Sequence, residues 1–184
     1  MNIGKTLLRA AATAFLLLHV SWGASTAAPG EYQVKAVFLF NFGQFVEWPS
    51  HAFQNSGAPF VIGVVGDDPF GKNLDDVVRG ESLGAHPLVV KRFKKAEDIT
   101  ACNILFIGRN EADRLTEALA AVRGRSVLTV TDIDGAEREG AIIVLFNENN
   151  RIRMRINLAA ARANQLVISS KLLRPAEVIG AEGN

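Results

Sequence analysis

AIIVLFNENNRIRMRIN, from Ala141 to Asn157, reads as two strands joined by a tight turn. Ala141 to Phe146 is a continuous apolar run, as expected of a strand covered on both faces. Asn147-Glu148-Asn149-Asn150 follows, and Asn tolerates the positive φ that a tight turn needs. From Arg151 to Ile156 charged and apolar residues alternate with the period of two that belongs to a strand. Strand, turn and strand make a hairpin, so any sheet that contains this segment has an antiparallel pair.

Upstream the pattern changes. Phe60 to Val65, Leu88 to Phe93, Asn103 to Ile107 and Ser126 to Val130 are short apolar strands. Between them lie amphipathic helical stretches: Phe70 to Val78, with Leu74, Val77 and Val78 facing in, and Glu111 to Val122, with Leu115, Ala118, Leu119 and Val122 inward and Gly124 as its stop. Strands alternating with helices predict an α/β domain. The hairpin makes its sheet mixed, mostly parallel, with about five or six strands flanked by helices. Downstream, Leu158 to Ala163 is a short helix that Asn164 can close, and Leu166 to Ile168 a short strand. Ser169 or Ser170 caps a last helix, which Pro175 should bend or shorten.

Glu31 to Trp48 reads as a helix ended by Pro49. Val34, Val37, Phe38, Asn41, Phe45 and Trp48 recur at three- and four-residue steps, but Leu39, Phe40, Phe42 and Val46 lie off that stripe. A helix apolar nearly all round has to be covered on more than one side, by the domain itself or by a partner. Phe38, Phe42, Phe45 and Trp48 are therefore candidate contact residues, with Asn41 the one amide on the stripe.

The hairpin supplies the second candidate surface. Arg151, Arg153, Arg155 and Asn157 share one face of their strand, and Ile152, Met154 and Ile156 the other. Successive arginines stand about 7 Å apart. Such a ladder is either a solvated face that discourages edge pairing or a cationic surface that holds an acidic partner through forked hydrogen bonds.

Ahead of all this, Lys5 and Arg9 border an apolar run from Ala10 to Val20, followed by small residues from Gly23 to Ala28. This is the layout of a secretory signal peptide, residues 1–27, with cleavage after Ala27. The run is shorter than the roughly 20 residues of a membrane-spanning helix. The exported domain is then residues 28–184. Loss of Lys5 and Arg9 moves the formal net charge from +1 to −1, which speaks against a nucleic-acid partner. With 48% hydrophobic and 21% charged residues among 184, the chain has enough apolar surface to fold as one domain.

Chemistry is sparsely marked. A single cysteine, Cys102, excludes an internal disulfide and a thiolate zinc site. After cleavage only His51 and His86 remain as histidines, neither beside another metal ligand. Gly63-Val-Val-Gly-Asp-Asp-Pro-Phe-Gly71 lacks the spacing of a dinucleotide loop, and Ser169 and Ser170 lack the setting of a nucleophile elbow. The expectation is no enzyme, no metal and no cofactor. The rival readings are a small-molecule binding module with a crevice at the strand ends and a hydrolase using Ser169 or His86.

Three stretches together resemble the YfiR-like periplasmic repressors of diguanylate cyclases. They are YQVKAVFLFNFGQFVEWP at Tyr32–Pro49, CNILFI at Cys102–Ile107, and a C-terminal set made of Gly140 to Phe146, Arg151 to Asn157 and ISSKLL at Ile168–Leu173. The resemblance implies a small α/β periplasmic domain that often forms homodimers. It also implies binding to the periplasmic sensor part of an inner-membrane diguanylate cyclase, held inactive. An OmpA-like outer-membrane lipoprotein can sequester such a repressor, and the output is cyclic di-GMP and biofilm matrix. The chain departs from the pattern at two points. Members with a disulfide to the Cys102 position carry its partner where this chain has Gly63, and Pro175 falls where the family is helical.

Overall fold

The computed structural model describes residues 30–180; the signal peptide read from the sequence lies outside them. In chain order the elements are α1 (Glu31–Phe45), β1 (Val46–Glu47), β2 (Phe60–Val65), α2 (Lys72–Val78), β3 (Ser82–Leu83), β4 (His86–Phe93), β5 (Ile104–Ile107), α3 (Leu115–Val122), β6 (Leu128–Thr131), β7 (Ile143–Glu148), β8 (Arg151–Asn157), α4 (Leu158–Ala163), β9 (Val167–Ile168), α5 (Ser170–Leu173) and β10 (Glu177–Ile179).

Eight strands form one sheet in the order β10-β8-β7-β6-β5-β2-β4-β3, and β1 pairs with β9 apart from it. The five strands β4, β2, β5, β6 and β7 are parallel. Their order is that of a doubly wound sheet, which reverses direction beside its first strand. The hairpin follows as expected: Asn149 and Asn150 both have positive φ, 52° and 59°, and Glu148 faces Arg151 across the turn. The α/β class and the mixed sheet hold, with more strands than the five or six expected. The extra ones, β3 and β10, are two and three residues long, too short to leave a periodic signature.

The alternation of β2 distributes the core to two layers. Phe60, Ile62 and Val64 join Ala36, Leu39 and Phe42 of α1 on one face, with Phe70, Phe106, Leu128 and Val130. Val61 and Val65 join Leu115, Ala118, Leu119 and Val122 of α3 on the other.

Several expectations need correction. Helix α1 stops at Phe45, three residues early, because Val46–Glu47 turns extended and pairs with β9, while the Ser169 N–H takes the Phe45 carbonyl at 2.9 Å. Its buried face is Lys35, Ala36, Leu39, Phe42 and Gly43, not the Val34–Trp48 stripe. With apolar residues on nearly every side, periodicity alone could not choose. Residues Arg109–Arg114 are 3-10 rather than α-helical, with Glu111 out of helical geometry. Its carboxylate lies over Gly66, where any Cβ would overlap it, and accepts from the Asp67 N–H at 3.2 Å. The last helix, by contrast, is short as expected of a chain that meets Pro175: α5 ends at Leu173, and the chain becomes β10.

Candidate functional site

Helix α1 is held at its first turns by charge. Lys35 is fully buried, and its Nζ lies 2.6 Å from Asp132 Oδ2, just beyond β6, while also pairing with Glu31. The Tyr32 hydroxyl donates to the same Oδ2 at 2.9 Å. Arg109, just beyond β5, reaches it through Nε at 3.2 Å and Nη2 at 3.1 Å and also pairs with Glu31. Two carboxylates and two cations thus meet at the carboxyl ends of the parallel strands. Burial alone would raise the Asp132 carboxyl, but Lys35, Tyr32 and Arg109 outweigh it and hold it below its usual range. Burial, then the hydrogen bond to Asp132, pushes the Tyr32 phenol up to about 12. In open α/β sheets this end is where ligands settle. Here the neighbouring switch-point crevice between β2 and β5 is partly covered by Glu111 lying over Gly66.

The other faces of α1 are less covered. Val37 is 44% exposed, and Phe38, Asn41 and Phe45 are half-buried. Val37, Phe38, Asn41 and Phe45 of the expected stripe therefore lie on a flank that the domain leaves partly open, while Trp48 falls beyond the helix. Phe38 contacts Phe42 at 5.9 Å between ring centres, but Phe42 itself is sealed in the core and out of a partner's reach. Trp48 stands edge-on to Phe60 at 4.9 Å, its Nε1 buried without a hydrogen bond among the described residues.

Phe38 also lines an open groove of about 520 Å³ with Ile152, Arg153, Met154, Arg174, Pro175 and Ala176. The fold thus brings one residue of the aromatic candidates and one of the arginine ladder to a single surface. Arg174 carries no local sequence signal for this surface, and its neighbour Pro175 forms part of the groove wall.

The ladder itself divides. Arg155 is paired with Glu137 at 3.3 Å and Glu177 at 3.2 Å, lies 3.7 Å from Asp134, and sits over the Phe146 ring. Asn157 caps α4, accepting from the Ala160 N–H at 2.9 Å and donating to the Glu137 carbonyl at 2.9 Å. These two serve the fold. Arg153 meets Glu148 at 3.1 Å, both side chains being nearly half exposed. Arg151 and Arg174 are exposed and have no carboxylate within 4 Å among the described residues.

The residues weighed for hydrolysis are not brought together. Ser169 caps α5, accepting from the Lys171 N–H. His86 stacks on Phe53 at 3.9 Å and contacts the Ala58 carbonyl through Nδ1. The serine–histidine contact that does form is Ser126 Oγ with His51 Nε2, at 3.3 Å, with Ser126 fully enclosed. Cys102 is buried, and desolvation lifts its thiol to about 12, so it is a poor nucleophile. A Cβ at Gly63 would stand 3.4 Å from that of Cys102, about the separation a disulfide spans, but 2.8 Å from the Phe93 ring.

Among the described residues no helix is long and apolar enough to cross a membrane, and no group of three His, Cys, Asp or Glu is arranged to hold a metal. A family model described as YfiR/HmsC-like matches residues 32–177. No curated protein matches significantly. Among solved structures, the chain is similar to a conserved domain protein from Vibrio cholerae O1 biovar El Tor, with a TM-score of 0.52 and 13% identity. That match covers 80% of this chain and 60% of the other, so it speaks for the fold alone.

Proposed function

This chain belongs to the YfiR/HmsC-like family, regulatory, non-catalytic periplasmic domains associated with control of diguanylate cyclases, and we propose that it represses such a cyclase by binding its periplasmic sensor part. The family match across residues 32–177 carries this reading. The groove beside Phe38 and Arg153 supports it, since it offers an apolar floor with a cationic rim. Repression is then a matter of differential affinity: the chain binds the inactive sensor better than the active one. Turning a sensor from mostly on to mostly off takes a preference of about 5 kcal/mol. Of the expected contact residues, Arg151 and Arg153 are exposed and Phe38, Asn41, Phe45 and Trp48 half-buried, which supports a contact role for them; Phe42, Arg155 and Asn157 are engaged inside the domain. An OmpA-like outer-membrane lipoprotein that covers the same surface would relieve repression, and a homodimer would present the surface twice.

The test is made in cells that carry the native cyclase. Loss of this protein should raise cyclic di-GMP, the wild-type chain should lower it again, and Phe38→Ala with Arg153→Glu should restore little. Cyclic di-GMP unmoved by deletion, together with no cyclase in an envelope pull-down, overturns the reading.

A further inference from the structure

Strand β8 has two edges of different kinds. Toward β7, the two-residue turn makes Glu148 and Arg151 a hydrogen-bonded pair, and the alternation of an antiparallel ladder does the same for Phe146 with Arg153 and Val144 with Arg155. The Asn157 N–H donating to the Ile142 carbonyl at 2.8 Å keeps that phase. The backbone groups of Ile152, Met154 and Ile156 therefore point the other way. At Ile156 they meet β10, which runs parallel in the register Glu177 to Arg155, Val178 to Ile156 and Ile179 to Asn157. At Ile152 and at the Met154 N–H nothing comparable is present among the described residues, because β10 begins at Glu177, whose register opposite Arg155 brings its N–H only as far as the Met154 carbonyl. Pro175, the residue that would face Arg153 if β10 extended backward, has no N–H to give. The Ala176 N–H turns back to the Leu173 carbonyl at 3.1 Å. The groove of about 520 Å³ opens along this missing length of strand.

We propose that this edge accepts an extended segment of a partner protein, added in line with β10 and alternating apolar and acidic residues. Its apolar side chains would lie against Phe38, Ile152, Met154 and Pro175. Its carboxylates would stand on the other face, beside Arg151 and Arg153. The molecule already contains the template, since Glu177 of β10 sits opposite Arg155 in the register and pairs with it at 3.2 Å. The same rule two residues back along β8 calls for a carboxylate at Arg153, and again at Arg151. Unpaired strand edges are general docking surfaces, in which the main chain supplies binding and alternate side chains supply selection. A second copy of β8 is a poor occupant: antiparallel self-pairing along this stretch would set arginine against arginine. The inference rests on the proposed regulatory role, for which it specifies the form of the partner's contact.

The experiment uses the protein without its signal peptide and a synthetic peptide of alternating Val and Glu, with a Val and Lys peptide as comparison. Amide exchange is followed by NMR. The Val–Glu peptide at millimolar concentration should slow exchange at Ile152 and Met154 by about tenfold or more and leave Arg151 and Arg153 unchanged. The Val–Lys peptide should do nothing. Absent protection, equal protection by both peptides, or protection that grows with protein concentration alone each overturn the proposal. Ile152→Pro removes an outward donor at a strand edge, where proline is tolerated, and should abolish the peptide's effect at Met154. Methylating the peptide amides that face β8 should do the same without altering the protein. Envelope pull-downs separate the two ideas. Equal cyclase capture by wild type and Ile152→Pro ends the strand-addition proposal and leaves the regulator intact, whereas no capture by either removes the regulator itself.

Discussion

Two charged clusters in this domain are made from the same residue types and do opposite things. At the carboxyl ends of the parallel strands, Lys35 and Arg109 meet Glu31 and Asp132, with Lys35 and Asp132 almost wholly buried. Along β8, the outer arginines stand in water, Arg153 sharing one carboxylate and Arg151 none among the described residues. The first cluster turns its charges inward and fixes helix α1 on the sheet. The second keeps its cations available. The difference is burial: a charge removed from water must be matched on the spot, whereas a solvated one can wait for a partner.

The comparison is most severely tested by Lys35→Ala. It leaves the Asp132 carboxylate buried with fewer partners, and loss of one member of a buried pair costs about 3–5 kcal/mol. Replacing both ends, Lys35→Met with Asp132→Leu, should recover most of that loss in urea unfolding, because two apolar side chains carry no unmatched charge. A single substitution that costs under about 1 kcal/mol, the range of exposed pairs, would erase the distinction between the two clusters.

Acid is the next probe. The folded Asp132 carboxyl titrates below its ordinary value of 3.8. Its contribution to stability is therefore whole above that value and is lost as pH falls through the lower, folded one. Unfolding free energy should decline more steeply below about pH 4 in the wild type than in Asp132→Asn. Parallel curves would mean that the site holds no preferentially ionised carboxylate.

A smaller contrast lies within β8. Arg155→Glu would place a carboxylate among Asp134, Glu137 and Glu177, and should destabilise by about 1–3 kcal/mol. Arg151→Glu should leave the unfolding midpoint where it is and weaken partner association, more at low salt than at physiological salt. Equal loss of stability in the two would show that the ladder is one structural unit.

How much of this was legible in the sequence follows from the range of each signal. Short-range patterns were readable: the Asn149–Asn150 turn, the alternation of Arg151 to Ile156, the inner face of α3 and the Ser169 cap. The resemblance carried by Tyr32–Pro49 and the C-terminal stretches led to the family. The buried face of α1 was hidden because Val, Leu and Phe surround the helix, and the residue that marks it is a lysine, ordinarily a sign of solvent. Its partner Asp132 lies 97 residues away, and no local pattern reports such a pair. The groove was equally invisible, since it depends on β10 pairing late and on the turn at Ala176. The two candidate surfaces were seen separately, Phe38 on one element and Arg153 on another, and only the fold puts them side by side.

The finest test of the buried cluster is spectroscopic, because Tyr32 is the only tyrosine in the chain. Its hydroxyl gives a proton to Asp132 Oδ2, so ionising the phenol would set a second negative charge beside the first in a dry place. Phenolate absorbance in the folded protein should therefore appear only near pH 12, against about 10 for a free tyrosine. Asp132→Asn removes the neighbouring charge but not the burial, which is the larger cause. The variant should move the midpoint part of the way back while the fold, followed by far-ultraviolet circular dichroism, stays intact. A wild-type midpoint at 10 would mean that the phenol is solvated and that Tyr32 has no part in the lock. A midpoint unmoved by the substitution would assign the whole shift to burial and reduce the cluster to its two cations and two carboxylates.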